Sequence, residues 1–128
     1  MFSRWVYLPI SACILTLAAC QVPSSTSDTI STFKGSGNEP GWGITINNEQ
    51  SVDVLLDYGE RKLTLDVVKK QLSSTKNQYS STYNNQPVII SIEKKACQDN
   101  MSGEDFDYQV LFSIEGKRLN GCGRILTP

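Results

Sequence analysis

The side chains that could do chemistry fall in two short stretches. "GNEPGW", Gly37 to Trp42, carries Glu39 ahead of Pro40 and Gly41. "CQDNMSGEDFDY", Cys97 to Tyr108, carries Asp99, Met101, Ser102, Glu104, Asp105 and Asp107. A Glu at the lip of a pocket can act as a general base, and Asn38 or Arg124 could supply the donor that orients Glu39. No nucleophile can be named to go with it. The four carboxylates of the second stretch could hold a hard cation, but Met101 and Gly103 stand where a calcium loop needs Asp or Asn oxygens. The 128 residues contain no His. That removes the commonest general base, the usual nitrogen ligand of metals and any Ser-His or Cys-His pair. The expectation is therefore no enzyme, no metal and no cofactor. A structural role accounts for both stretches. Glu39-Pro40-Gly41 reads as a turn, with Pro40 setting one backbone angle and Gly41 supplying the positive one, and Trp42 entering the core. Asp99 and Ser102 read as caps that bond backbone N–H groups of their own loop, with Met101 tucked under the end of the fold.

The elements that must position these residues read as strands. "WGITI" places Trp42, Ile44 and Ile46 on one side, and "SVDVLLD" does the same for Val52, Val54 and Leu56. "KLTLDVV" aligns Leu63, Leu65 and Val67, "PVIISIE" aligns Val88, Ile90 and Ile92, and "YQVLFSIEG" aligns Tyr108, Val110, Phe112 and Ile114. "KRLNGCGRIL" closes the series. Period-two alternation marks strands with one buried face. Turn signals separate them at Asn47-Asn48, Asp57-Tyr58-Gly59, Asn84-Asn85 and Glu115-Gly116. "KKQLSSTKNQYSSTYNNQ", Lys69 to Gln86, reads as a long solvated hairpin whose Ser, Lys, Tyr79 and Tyr83 side chains would suit a protein-binding edge. The fold expected for residues 33–128 is all-β: a small antiparallel meander of about seven or eight strands, closed or nearly closed into a barrel, since closure removes exposed edges.

Residues 1–19 have a different character. Arg4 is followed by "WVYLPISACILTLAA", a near-continuous apolar run that ends at Cys20. This is the layout of a secretory signal, too short and too interrupted by Pro9 for a membrane span. Residues 20–32 are rich in Ser and Thr and read as a flexible tether, spanning about 20 Å as a coil. Export would leave Cys97 and Cys122 in an oxidising compartment as the only free thiols, so a disulfide is expected between them. The net charge of −1 gives no electrostatic case for nucleic acid.

Leu17-Ala18-Ala19-Cys20 resembles the lipobox of bacterial lipoproteins. That resemblance implies cleavage before Cys20, a diacylglycerol on its sulfur, an acyl chain such as palmitate on its amino terminus and, with Gln21 rather than Asp next, the outer membrane. Two chains or more make such anchoring stable. Gly37-Asn38-Glu39-Pro40 with Trp42, Cys97-x-Asp99-x-Met101-Ser102 and Gly121-Cys122-Gly123 together resemble an uncharacterised family of bacterial envelope lipoproteins. More distantly, the chain resembles the membrane-bound inhibitors of c-type lysozyme. These resemblances imply a small β-barrel with a disulfide and assign no activity. They make Glu39, Trp42, Asp99, Met101 and Ser102 the candidate binding or structural residues. The expected role is that of a non-enzymatic lipoprotein facing the periplasm that binds another envelope protein. The alternatives are inhibition of a lysozyme and capture of a small ligand inside the barrel.

Overall fold

In the computed structural model residues 32–126 are described. The expected signal segment, Cys20 and the tether up to Ser31 lie outside them. The described chain forms β1 (Thr32–Asn38), β2 (Gly41–Asn47), β3 (Ser51–Leu56), β4 (Arg61–Asp66), β5 (Lys69–Leu72), β6 (Lys76–Tyr83), β7 (Gln86–Gln98), β8 (Asp105–Ile114) and β9 (Lys117–Leu126). All pair antiparallel in one sheet of order β4-β3-β2-β1-β9-β8-β7-β6-β5.

The order explains the shape. Consecutive strands pair except β4 with β5, and β1 also pairs with β9, so the sheet curls into a half-barrel. Its two edges, β4 and β5, are neighbours in the chain and act as the halves of one bent strand. At the bend, Val67 N–H donates to Gln50 O at 2.8 Å on the β3 side, and Val68 N–H donates to Ser80 O at 2.9 Å on the β6 side. Ser81 Oγ donates to Asp66 O at 2.5 Å across the same seam. Nine strand segments thus make eight staves, which is the all-β meander the alternation predicts.

The inward set is the apolar set. Ile44, Ile46, Val52, Val54, Val88, Ile90, Val110 and Phe112 are almost wholly shielded from solvent. The Asn84–Asn85 and Glu115–Gly116 loops have positive φ at both residues, the two-residue hairpin geometry whose twist matches that of the strands.

Two expectations need correction. The stretch from Lys69 to Gln86 does form a hairpin, exposed from Lys69 to Lys76, but its second half is also a strand of the main sheet with a buried face. It supplies β5 and β6, and β6 pairs with β7 along its whole length. Tyr79 and Ser81 face inward, 5% and 6% exposed. Tyr79 OH donates to Glu49 Oε1 at 3.3 Å, and Lys70 Nζ donates to Glu49 Oε2 at 3.1 Å. Burial, then the Glu49 charge, push the Tyr79 phenol up to about 12. Second, Gly41 does not supply a positive φ. The Glu39–Pro40 peptide is cis and Asn38 pairs with Gly41, so Glu39 and Pro40 form the whole loop. Gly41 is needed because the Tyr58 ring lies where a Cβ would point.

Candidate functional site

Three segments far apart in sequence meet at one corner of the barrel. Trp42 is the centre. It is 5% exposed, and its ring centroid lies 5.3 Å from that of Phe112. The indole passes under β1 and β9 at two glycines. A Cβ at Gly37 would collide with Trp42 Nε1, and one at Gly121 would lie 2.7 Å from Trp42 Cζ2 and against Ser36 O. A Cβ at Gly123 would run into the Phe33 ring. The spacing "GCGR" on β9 therefore sends Gly121 and Gly123 inward under aromatic rings and Cys122 and Arg124 outward.

Cys122 is joined to Cys97 by a disulfide with a Cα–Cα distance of 5.6 Å, as expected. The bond lies on the outer side of β9. Cys97 reaches it because the β7–β8 register shifts between Lys94 and Cys97, a bulge that re-aims the strand end. The end of β7, the loop after it and the start of β8 form an arm laid against β9. Arg124 holds the arm a second time, pairing with Glu104 and stacking 4.3 Å over the Phe106 ring.

The tip of the arm meets the first hairpin. Asn38 Nδ2 donates to Asp99 Oδ1 at 2.6 Å, and Met101 N–H donates to the same oxygen at 2.8 Å. The Met101 N–H first, then the Asn38 amide, hold the Asp99 carboxyl below its usual range. Ser102 Oγ accepts from Glu104 N–H at 3.2 Å. The capping roles expected of Asp99 and Ser102 are present. Met101 differs: it is 75% exposed at the tip of the arm, because the loop turns out over β9 and leaves no apolar wall for it. Glu39 is exposed at the hairpin turn. Neither expected donor serves it, since Arg124 is taken by Glu104 and Asn38 by Asp99.

Between arm and barrel lies a cleft of about 350 Å³. Asn38, Glu39, Asn100 and Met101 form one side, and Gln109, Arg118 and Asn120 the other. A second, shallower groove of about 390 Å³ crosses the outer face at Pro87, Ile89 and Ser113, and Arg118 borders it too. Outward-pointing Ile89 and Leu111 give that face a half-buried apolar stripe. Both grooves lie toward the barrel end that carries the Glu39–Pro40 and Glu115–Gly116 turns.

No protein family, curated protein or solved structure matches this chain. The chemistry of the corner is therefore argued from its own side chains. Among the described residues, no group of three or more Cys, Asp or Glu side chains is placed to hold a metal ion. The arm's acids are spread: Asp99 bonds Asn38, Glu104 bonds Arg124, and Asp105 and Asp107 face solvent. What the cleft offers is a set of hydrogen-bond donors and acceptors together with two anions, Glu39 and Asp99, and one cation, Arg118. Gln109, Arg118 and Asn120 escaped the sequence reading. They are outward positions of ordinary alternating strands, and only the arm standing beside them makes them walls of a cleft.

Proposed function

We propose that this protein is a non-enzymatic lipoprotein of the outer membrane, anchored through Cys20 and facing the periplasm, whose barrel binds another envelope protein. The observation that carries the reading is the outward groove at Pro87, Ile89 and Ser113, which combines apolar side chains with the cationic rim of Lys117 and Arg118. An apolar centre with a charged rim is the make-up of a protein interface. Geometry supports it. β1 carries the chain from Thr32 to Asn38, about 20 Å at about 3.3 Å per residue. A lipid at Cys20 would enter at the Thr32 end and leave both grooves turned away from the bilayer. The packed interior, with Phe112 and Val110 fully shielded, weighs against a ligand carried inside the barrel.

The test is affinity capture with the full-length protein in detergent, from envelope extract and from a panel of lysozymes. Ile89→Asp is the matched control. Saturable capture of an envelope protein that Ile89→Asp abolishes is the expected result. Capture of a lysozyme with loss of its activity would replace this reading with the inhibitor alternative. Capture indifferent to Ile89→Asp would sink the groove as the docking face. Incorporation of a palmitate probe into wild type but not into Cys20→Ser tests the anchor.

A further inference from the structure

We infer that the cleft beside the Cys97–Cys122 bridge is a saccharide-binding site, which takes a hydroxyl-rich and acetamide-bearing glycan strand. The argument begins with the lining. Five of its fourteen residues are carboxamides: Asn38, Gln98, Asn100, Gln109 and Asn120. Two of these are spent on the protein, Asn38 on Asp99 and Gln98 on Gly103 O at 3.0 Å. Among the described residues, the side chains of Asn100, Gln109 and Asn120 make no hydrogen bond to protein, and the Arg118 guanidinium has no acid partner. A side-chain amide presents a donor and an acceptor side by side. Neighbouring sugar hydroxyls and an N-acetyl group present the matching pair.

The backbone around the cleft is a short gap between two strands. β1 and β9 pair from Thr32↔Leu126 to Ser36↔Cys122, and the cleft opens where they part, at Gly37–Asn38 and Asn120–Gly121. Carboxamides are the commonest side chains around that opening. The volume of about 350 Å³ falls in the range of small-molecule sites, about 300–1,000 Å³.

The walls are held before any ligand arrives. The disulfide fixes the arm to β9, the Asn38–Asp99 bond fixes its tip to the first hairpin, and Trp42 packs beneath Gly37 and Gly121. Such preorganisation reduces the ordering cost of binding. Arg118 can meet a carboxylate or acetamide oxygen, and Glu39 and Asp99 can accept from an amine or hydroxyl.

The experiment is a titration of the full-length protein in detergent with a β-1,4-linked N-acetylglucosamine tetrasaccharide, followed by calorimetry and by saturation-transfer NMR. The matching glucose tetrasaccharide is the comparison. Saturable binding is expected, weakened at least about fivefold by Asn120→Ala and, separately, by Gln109→Ala. Loss of the acetamide in the glucose oligomer is expected to weaken it by a similar factor. Both side chains are exposed, and intact disulfide mass with an unchanged melting curve verifies each variant. No saturable binding to either oligosaccharide overturns the inference. So does binding that both variants retain at full strength, because the sugar then sits elsewhere. Ile89→Asp, outside this cleft, is expected to leave sugar binding intact. Failure of the saccharide site and failure of the protein-docking face are thereby read separately.

Discussion

Asn38 Nδ2 bonds Asp99 Oδ1 at 2.6 Å across 61 positions of sequence. The contact joins the tip of the first hairpin to the tip of the disulfide arm, and it decides how the corner responds to acid. The Met101 N–H and the Asn38 amide both favour the charged carboxylate, so the folded pKa lies below the ordinary 3.8. The stabilisation is complete above that value and is lost as pH falls through the lower folded value. Asp99→Asn is expected to melt below wild type at about pH 7, with the gap closing as pH falls below the ordinary 3.8. Melting curves over that range check it. A gap that stays constant would mean that ionisation of Asp99 contributes nothing.

Tyr79 makes the opposite prediction at the other end of the scale. Its phenol is raised from 10.0 to about 12, so folding favours the neutral form. Its contribution is present below about pH 10 and declines as pH rises toward about 12. Tyr79→Phe is expected to cost about 0.5–1.5 kcal/mol at neutral pH, through the lost bond to Glu49. It should also remove the phenolate absorbance step near pH 12. An unchanged alkaline titration in the variant would assign that step elsewhere.

Two glycines should respond in opposite directions to the same substitution. Gly121→Ala drives a Cβ into Ser36 O and the Trp42 ring, and overpacking of that kind costs about 1–3 kcal/mol. At Gly43 the nearest atoms to a Cβ lie 3.8 Å away. Gly43→Ala is expected to be neutral or to stabilise by about 0.5 kcal/mol, by restricting the unfolded chain. Urea unfolding of the two variants side by side measures the contrast. Equal effects would show that the indole does not set the packing at β9.

Removing the bridge should loosen the arm before the barrel. The disulfide closes a separation of 25 residues, for which the loop-entropy relation gives about 3.5 kcal/mol. The double variant Cys97→Ala, Cys122→Ala is expected to lose about that much stability. Amide exchange should accelerate between Lys95 and Asp105 while Val110 and Phe112 stay protected. Uniform loss of protection would mean that arm and barrel unfold as one unit.

The sequence revealed the parts of this fold in which hydrophobic pattern and geometry coincide. Trp42-Ile44-Ile46, Val88-Ile90-Ile92 and Val110-Phe112-Ile114 alternate cleanly, and each set is buried. Cys97 and Cys122 were paired by elimination. The buried face of β6 is hidden because its inward positions are Asn77, Tyr79, Ser81 and Tyr83, which carry little apolar signal. Gly35, Gly37 and Lys34 hide β1 in the same way, since a glycine that admits a neighbouring ring looks like a loop residue. The motif residues of the corner could be singled out but not joined. The Asn38–Asp99 bond depends on the bulge before Cys97, and nothing in "EKKACQ" announces a bulge. Gln109, Arg118 and Asn120 look like any solvated strand positions, and only the arm standing beside them makes them part of a cleft.

Thr32 pairs with Leu126 on adjacent strands, so the described chain starts and finishes side by side. Because β1 and β9 are paired inside the sheet and its edges are β4 and β5, the chain could begin at another turn without losing a strand pairing. A short linker from Leu126 to Thr32, with a new opening cut between Asn84 and Asn85, would preserve every strand pairing. Such a circularly permuted barrel would exit from the end that now carries both grooves. The order of the strands is thus separable from the end of the sheet at which the described chain begins and finishes.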